Sequence, residues 1–140
     1  MKSPVSTEVI ATDVVVIGAG GAGLRAALEA SWSGADVVLV VKGKLGASGT
    51  TAYHIAETAG FAAADGYFDS DDNPDVHFQD IVEAGCGMCD SGLAGILAYE
   101  SPSEISFLKN HGVLFVQDSS SRDVVVKGCF ASRSRNRKIL

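Results

Sequence analysis

The sequence predicts an α/β fold in which a parallel sheet is built around one strand–helix–strand unit. Four β-branched residues in a row, Val14–Ile17, are typical of a strand that is buried on both faces. A glycine-rich turn follows, and Leu24–Ala30 is then a run of good helix formers with apolar residues at helical spacing. A second apolar run, Asp36–Val41, supplies the next strand. Because parallel strands need a crossover connection, these segments together predict a βαβ unit.

The turn between the first strand and the helix has the spacing Gly18-x-Gly20-x-x-Gly23. In this context Gly18 allows a sharp turn, Gly20 admits a pyrophosphate close to the backbone, and Gly23 lets the helix pack near the strand. Unpaired N–H groups and the positive dipole end at the helix N-terminus favour phosphate. The pattern therefore predicts a Rossmann-like, dinucleotide-binding domain, with a purely structural turn as the alternative.

Length and composition limit the other classes of protein. A chain of 140 residues suits one domain, and we expect residues 1–12 to be a lead-in and residues 13–140 to form the N-terminal part of that domain. The net charge of −6 argues against nucleic acid as a partner, and no apolar run reaches membrane-spanning length. Three cysteines and no secretory signal pattern indicate reduced thiols in the cytoplasm.

The segment after the second strand is rich in small residues. Glycine and hydroxyl residues between positions 42 and 51 can place N–H and O–H groups against the phosphates or the ring system of a cofactor, although a plain loop has the same composition. Residues 52–64 are rich in alanine and are predicted to be helical. The acidic stretch 65–75 is interpreted as a solvated loop, and a divalent-ion loop is the alternative.

The rest of the chain is predicted to contain three helices and a hairpin. One helix starts at Asp75 as N-cap, and a short one covers Leu93–Tyr99. A third begins at Ser101, with Pro102 in its first turn, and ends at Gly112. Short strands are expected at 113–116 and 124–126, and the basic tail 132–138 as a solvated or partner-facing end.

The predicted strands do not complete a sheet. A doubly wound sheet usually has five or six strands, whereas this chain offers two convincing parallel strands and a small hairpin. Two parallel strands cannot cover their own faces and edges. We therefore expect an incomplete sheet that another chain completes.

The cysteine and histidine residues give weaker indications. Cys86-x-x-Cys89 has the spacing of a redox pair or of half a zinc site, but the structural interpretation is that buried thiols act as small apolar side chains. Cys129 stands alone, and no ligand spacing links the three histidines. We therefore expect no metal site.

Four segments resemble the FAD-binding flavoprotein family of fumarate reductase, succinate dehydrogenase and L-aspartate oxidase. They are residues 14–23, residues 42–44, residues 48–51 and residues 81–90, and the helix-to-strand run 107–115 is also similar. The tail 132–140 resembles the family's Gly-Gly-His-Ser-x-x-Arg segment, but the Gly-Gly-His is missing, so no flavin or substrate role is assigned to Ser134, Arg135 or Arg137.

The resemblance implies FAD as cofactor, with its pyrophosphate over the glycine turn and its ring near residues 48–51. Many Rossmann proteins end the second strand with an acid, whereas here Lys42 follows Val41 and is expected on the adenosine side. Respiratory members carry a flavin-linked histidine where this chain has Gly49, so noncovalent FAD is expected. The expected cofactor-binding residues are Gly18, Gly20, Gly21, Ala22, Gly23, Val41, Lys42, Gly43, Ser48, Gly49, Thr50 and Thr51.

The family transfers hydride between FAD and a small carboxylate or amino acid. Its catalytic arginine and histidine residues lie beyond the part that this chain resembles, so the resemblance assigns no catalytic residue to this chain. We expect a second polypeptide to supply those residues and the rest of the FAD-binding and substrate domains. The alternatives are part of an amine or amino-acid dehydrogenase, and a non-catalytic protein for nucleotide binding or assembly.

Overall fold

The computed structural model describes residues 7–47, 60–66, 68–126 and 134–139. The chain divides into two compact units, residues 1–57 (the first unit) and residues 58–140 (the second unit), and each is described by itself.

The first unit is the predicted βαβ unit. Strand β1 covers Val14–Ile17, helix α1 covers Gly21–Trp32, and strand β2 covers Val37–Val40. The strands pair in parallel, with Val14 opposite Val37 and Ile17 opposite Val40. Gly34 follows the helix with a φ of 88°, the left-handed conformation predicted for its end.

No described element packs on one face of this strand pair. The burial of β1 alternates, and Val16 lies on the side where α1 packs. On the other side Val15 is 56% and Ile17 84% exposed, so the expectation of a strand buried on both faces is wrong within the described residues. A βαβ unit has one helical layer, so α1 covers only one face of this strand pair.

The second unit contains two helices and a small antiparallel sheet. Strand β3 (Phe61–Ala62) and strand β4 (Val125–Val126) both pair with β5 (Lys138–Ile139). Phe61 and Ala62 are therefore strand rather than helix, because β5 provides a pairing edge. Residues 52–59 of the predicted 52–64 helix lie outside the described residues. The core is Ala63, Ile105 and Ile139, with Phe115 packed against it.

Helix α2 covers Pro74–Ala84 and begins earlier than predicted. Its N-cap is Asn73, whose side-chain oxygen accepts a hydrogen bond from the Val76 N–H at 3.1 Å. Asp75, predicted as the cap, instead lies in the first turn and accepts a hydrogen bond from the Tyr99 hydroxyl at 2.5 Å. The stacked rings of Phe78 and Tyr99 also join α2 to the next helix.

Helix α3 covers Ser91–Asn110 without interruption, which corrects the prediction of two separate helices. Pro102 lies inside it rather than in a first turn. Proline has no N–H, so the Ala98 carbonyl four residues earlier loses its usual donor. The Ser101 hydroxyl donates to that carbonyl instead, at 3.3 Å. The residue predicted as an N-cap therefore replaces the hydrogen bond that the proline removes from the helix interior.

The hairpin after α3 is shorter than predicted. Gly112 ends the helix with a φ of 85°, as expected. Residues 113–116 are not a strand, and the pairing that forms is a single bridge between Gln117 and Asp123. Asp118 closes the turn, since its carboxylate accepts hydrogen bonds from the Ser120 and Arg122 N–H groups.

Candidate functional site

The glycine turn joins β1 to α1 with the geometry that its sequence predicts. Gly18 has a φ of 103°, which favours glycine, and its N–H donates to the Val40 carbonyl at 2.8 Å. A Cβ on Gly23 would overlap the Gly18 carbonyl, so any larger residue at position 23 would push the helix off the turn. Gly18 and Gly23 therefore serve the turn and the close packing predicted for them.

The N-terminus of α1 presents N–H donors that no described side chain caps. Its N-cap, Gly20, has no side chain to cap the helix, and the first turn contains no acidic residue. The Leu24 N–H donates to the Gly20 carbonyl, which leaves the N–H groups of Gly21, Ala22 and Gly23 before the first helical hydrogen bond. These donors and the positive end of the helix dipole favour a phosphate group.

Among the described residues, the space beside this helix end is open at Gly18 and at Gly21. A Cβ on Gly21 would meet no atom within 4 Å, and the same holds for Gly18. An approaching pyrophosphate therefore meets backbone rather than side chains, and the residues present fit the phosphate part of a dinucleotide.

The residues after β2 lie at the same edge of the strand pair. Because β1 and β2 are parallel and Ile17 pairs with Val40, the turn and the segment starting at Val41 follow neighbouring carboxyl ends. Val41 is half-buried, whereas Lys42 and Gly43 are exposed. The other predicted contacts, Ser48, Gly49, Thr50 and Thr51, lie outside the described residues.

The second unit contains a buried ion-pair network that the sequence does not predict. The Arg137 guanidinium donates to both carboxylate oxygens of Asp72, at 2.9 and 2.6 Å, and to Asp80 at 2.6 Å. The Arg137 side chain is 1% exposed. Asp80 also accepts hydrogen bonds from the Ser134 hydroxyl and N–H, at 2.6 and 3.2 Å. The network ties residues 134–137 to α2 and to the acidic loop before it.

This network corrects two expectations. Asp72 is buried rather than part of a fully solvated acidic loop, and Arg137 is buried rather than part of a solvated tail. Each error has the same cause, since opposite charges 65 residues apart neutralise each other only once the chain is folded. With its guanidinium bound by two carboxylates, Arg137 holds the segment 134–137 against α2 and the acidic loop.

Hydrogen bonds set the ionisation of the network. Burial raises the pKa of Asp80, but the hydrogen bonds from Ser134 and Arg137 outweigh it and leave this pKa below its usual range. At the more exposed end, the hydrogen bond from Arg135, at 2.7 Å, lowers the pKa of Asp69. Both carboxylates are therefore ionised at neutral pH.

His77 lies on α2 beside this network. It is fully buried, and burial followed by the nearby Arg137 charge lowers its pKa. Its two ring nitrogens have no hydrogen-bond partner among the described residues. His77 also lines a mostly apolar groove of about 400 Å³, together with Phe61, Ile96, Leu97, Ile105 and Leu108. His77 is therefore a neutral core residue in this unit.

The two described cysteines are less buried than the structural interpretation requires. Cys86 is exposed and Cys89 is half-buried, and both are free thiols. Cys129 and His54 lie outside the described residues, and His111 ends α3. Among the described residues, no three His, Cys, Asp or Glu side chains are grouped to hold a metal ion. Within the same residues, no helix combines the length and apolar character needed to cross a bilayer.

The fold and the glycine turn define a dinucleotide-binding α/β protein, and comparisons with known proteins identify its family. The model of the FAD binding domain family matches residues 13–137. The chain is 40% identical to one of the subunits of fumarate reductase (CoM/CoB) from Methanothermobacter marburgensis, over 81% of this chain and 20% of that protein. It is 37% identical to L-aspartate oxidase of Streptomyces coelicolor, over 82% and 19%.

Solved structures agree with these relatives. Mycobacterium smegmatis Sdh1, in complex with UQ1, matches with a TM-score of 0.78 and 32% identity, over 91% of this chain and 20% of that chain. E. coli quinol fumarate reductase FrdA matches with a TM-score of 0.77 and 26% identity, over 92% and 21%. The chain belongs to the FAD binding domain family, its cofactor is FAD, and it spans about a fifth of the length of these relatives.

Proposed function

We propose that this chain is the FAD-binding part of a flavin-dependent oxidoreductase that transfers hydride between FAD and a small carboxylate or amino acid. The observation that carries the proposal is the turn from Gly18 to Gly23, where no described side chain caps three backbone donors and none lies within 4 Å of the Cβ positions of Gly18 and Gly21. The relatives, an L-aspartate oxidase and a component of a fumarate reductase, support the reaction class.

Different residues of the first unit bind different parts of FAD in this proposal. The N–H groups of Gly21, Ala22 and Gly23 bind the pyrophosphate, Gly18 and Gly20 shape the turn, and Val41–Gly43 line the adenosine side. Ser48, Gly49, Thr50 and Thr51 are proposed near the ring system. When bound, FAD supplies the two-electron chemistry, and this chain supplies the binding and orientation.

A second polypeptide completes the enzyme in this proposal. Among the described residues, one side of β1 leaves Val15 and Ile17 exposed. A parallel sheet is stable when both faces are covered, so the remaining layer and strands come from the completing chain. That chain also carries the catalytic arginine and histidine residues. The enzyme is proposed to assemble in the cytoplasm, because three cysteines, an odd number, favour a compartment in which thiols stay reduced.

The flavin is held noncovalently in this proposal, because Gly49 has no side chain that could form a bond to it. Denaturing the flavin-containing protein should release all yellow colour into the supernatant. Flavin that stays on the polypeptide would contradict noncovalent binding while leaving FAD as the cofactor.

The decisive experiment is purification of the chain from its own cells together with any polypeptide that accompanies it. We expect flavin absorbance in that complex, and reduction of an artificial electron acceptor with succinate or aspartate, or oxidation of a reduced acceptor with fumarate. A complex without flavin would contradict the proposal. Flavin without any of these activities would favour a non-catalytic assembly role or a different substrate class.

A further inference from the structure

The turn between α2 and α3 contains two thiols that packing does not explain. A structural cysteine is normally buried, where it acts as a small apolar side chain. Here Cys86 is exposed and Cys89 is half-buried, and neither belongs to the core of the second unit. Some other property of the pair therefore has to account for the thiols.

The backbone of the turn is unusual at the first cysteine. The Met88 N–H donates to the Gly85 carbonyl at 2.9 Å, and the two residues between them have φ angles of 49° (Cys86) and 83° (Gly87). Positive φ at both central positions is typical of a type I′ turn, which favours glycine, asparagine or aspartate. A cysteine in this conformation is strained, and strained residues concentrate at functional sites.

The turn also packs the second cysteine against Gly85, the residue directly before the first cysteine. Cys89 packs so closely on Gly85 that a Cβ on Gly85 would lie 2.5 Å from the Cys89 Cβ. Gly85 directly precedes Cys86, and consecutive Cα atoms are about 3.8 Å apart. In the reduced state the Cys86 thiol donates to the Glu83 carbonyl and the Cys89 thiol donates to the Asp90 carbonyl, both at 3.6 Å. A thiol is a weak donor, so breaking these two hydrogen bonds costs little.

We propose that Cys86 and Cys89 form a reversible dithiol–disulfide pair that a low-molecular-weight disulfide oxidises. The exposed Cys86 thiolate attacks one sulfur of that disulfide, a mixed disulfide forms, and one small thiolate leaves and takes up a proton. The Cys89 thiolate then attacks the Cys86 sulfur, the protein disulfide forms, and the second small thiolate leaves and is protonated. Two protein thiols are oxidised and one small disulfide is reduced to two thiols.

The test is incubation of the full chain with glutathione disulfide, followed by acid quenching, alkylation in denaturant and peptide mass mapping. We expect two of the three thiols to be lost, with one disulfide joining Cys86 to Cys89, and dithiothreitol to restore both. Cys129→Ser should form the same bond. Cys89→Ser should instead accumulate the mixed disulfide with glutathione at Cys86.

Three results would overturn the proposal. These are retention of all three thiols, a stable mixed disulfide at Cys86 in the unmodified chain, and a bond that includes Cys129 or a second molecule. None of them bears on FAD binding, because the flavin proposal uses residues of the first unit alone.

Discussion

The two units differ in the distance along the chain over which their stabilising contacts act. In the first unit the side-chain contact between Thr12 and the Asp36 carbonyl spans 24 residues, and no residue in 7–47 is buried. In the second unit Arg137 reaches Asp72 across 65 residues, and charged side chains are among the most buried. The first unit is thus specified by a local motif, and the second by pairing that exists only after folding.

The largest expected effect is in the buried network. Asp80→Asn removes a carboxylate that accepts hydrogen bonds from Arg137 and Ser134, and leaves part of the arginine charge unpaired. We expect the free energy of unfolding of the second unit to fall by about 3–5 kcal/mol. Chemical denaturation followed by circular dichroism measures this change.

The matched control is the ion pair between Arg122 and Asp118, which is largely exposed. Arg122→Ala should cost less than about 1 kcal/mol, because solvent screens the pair. Equal losses of unfolding free energy for Asp80→Asn and Arg122→Ala would show that the buried network contributes no more to stability than an exposed ion pair.

This difference between the units also explains how much the sequence can predict. The limits of β1, the existence of a helix over Leu24–Ala30, and the structural roles of Gly18, Gly23 and Gly34 follow from residues within one turn or one helix of each other, and the structure confirms them. The observed helix is longer than that run and covers Gly21–Trp32. No local pattern marks a partner for Arg137, so sequence alone favours solvation for both the acidic loop and the basic tail.

The errors at helix ends have a more local cause. Ser101 and Pro102 form a good helix start by themselves, but tertiary packing keeps α3 continuous, with Ala98 and Ile105 buried on either side of the proline. Asn73 and Asp75 are both good caps, and sequence alone does not rank them. The contacts proposed for residues 48–51 stay a prediction.

The next largest effect is expected at the glycine turn of the first unit. Gly23→Ala places a Cβ on the Gly18 carbonyl, so the helix must shift. We expect a loss of about 1–3 kcal/mol in stability, typical of overpacking, together with loss of bound flavin. Thermal unfolding and flavin absorbance of the purified complex measure the two effects.

Gly21→Ala is the control for steric strain at that turn, because its Cβ meets no protein atom within 4 Å. It should retain the fold but bind FAD less tightly, since the new methyl group occupies the phosphate side. If Gly23→Ala were as stable and as flavin-rich as the wild type, the close approach of helix and turn would have no role.

A smaller effect is expected at the proline of α3. Ser101→Ala removes the hydroxyl that donates to the Ala98 carbonyl and should cost about 1 kcal/mol. Ser103→Ala, which removes a similar hydroxyl bond to the Glu100 carbonyl, should cost less, because that carbonyl also has a helical partner. In a Pro102→Ala background the difference between the two serine variants should disappear. A difference that persists would show that the Ser101 hydroxyl does not compensate for the N–H that proline lacks.

The pH dependence of stability should come in two steps. The lowered pKa of His77 means that the unfolded chain binds a proton more readily, so stability should fall as the pH drops below about 6.5. The lowered pKa of Asp80 contributes stability above its ordinary value of 3.8, which is lost as the pH falls through the folded value. His77→Leu should remove the first step, whereas His111→Gln should keep it. If stability still falls below about pH 6.5 in His77→Leu, a group other than His77 causes the first step.

The most direct measurement is amide hydrogen exchange of the flavin-containing complex, compared with the same complex after flavin removal. If the turn binds the pyrophosphate, the amides of Gly21, Ala22 and Gly23 should exchange more slowly when FAD is bound, while α3 changes little. Bound FAD with unchanged exchange at these three amides would contradict the proposed site.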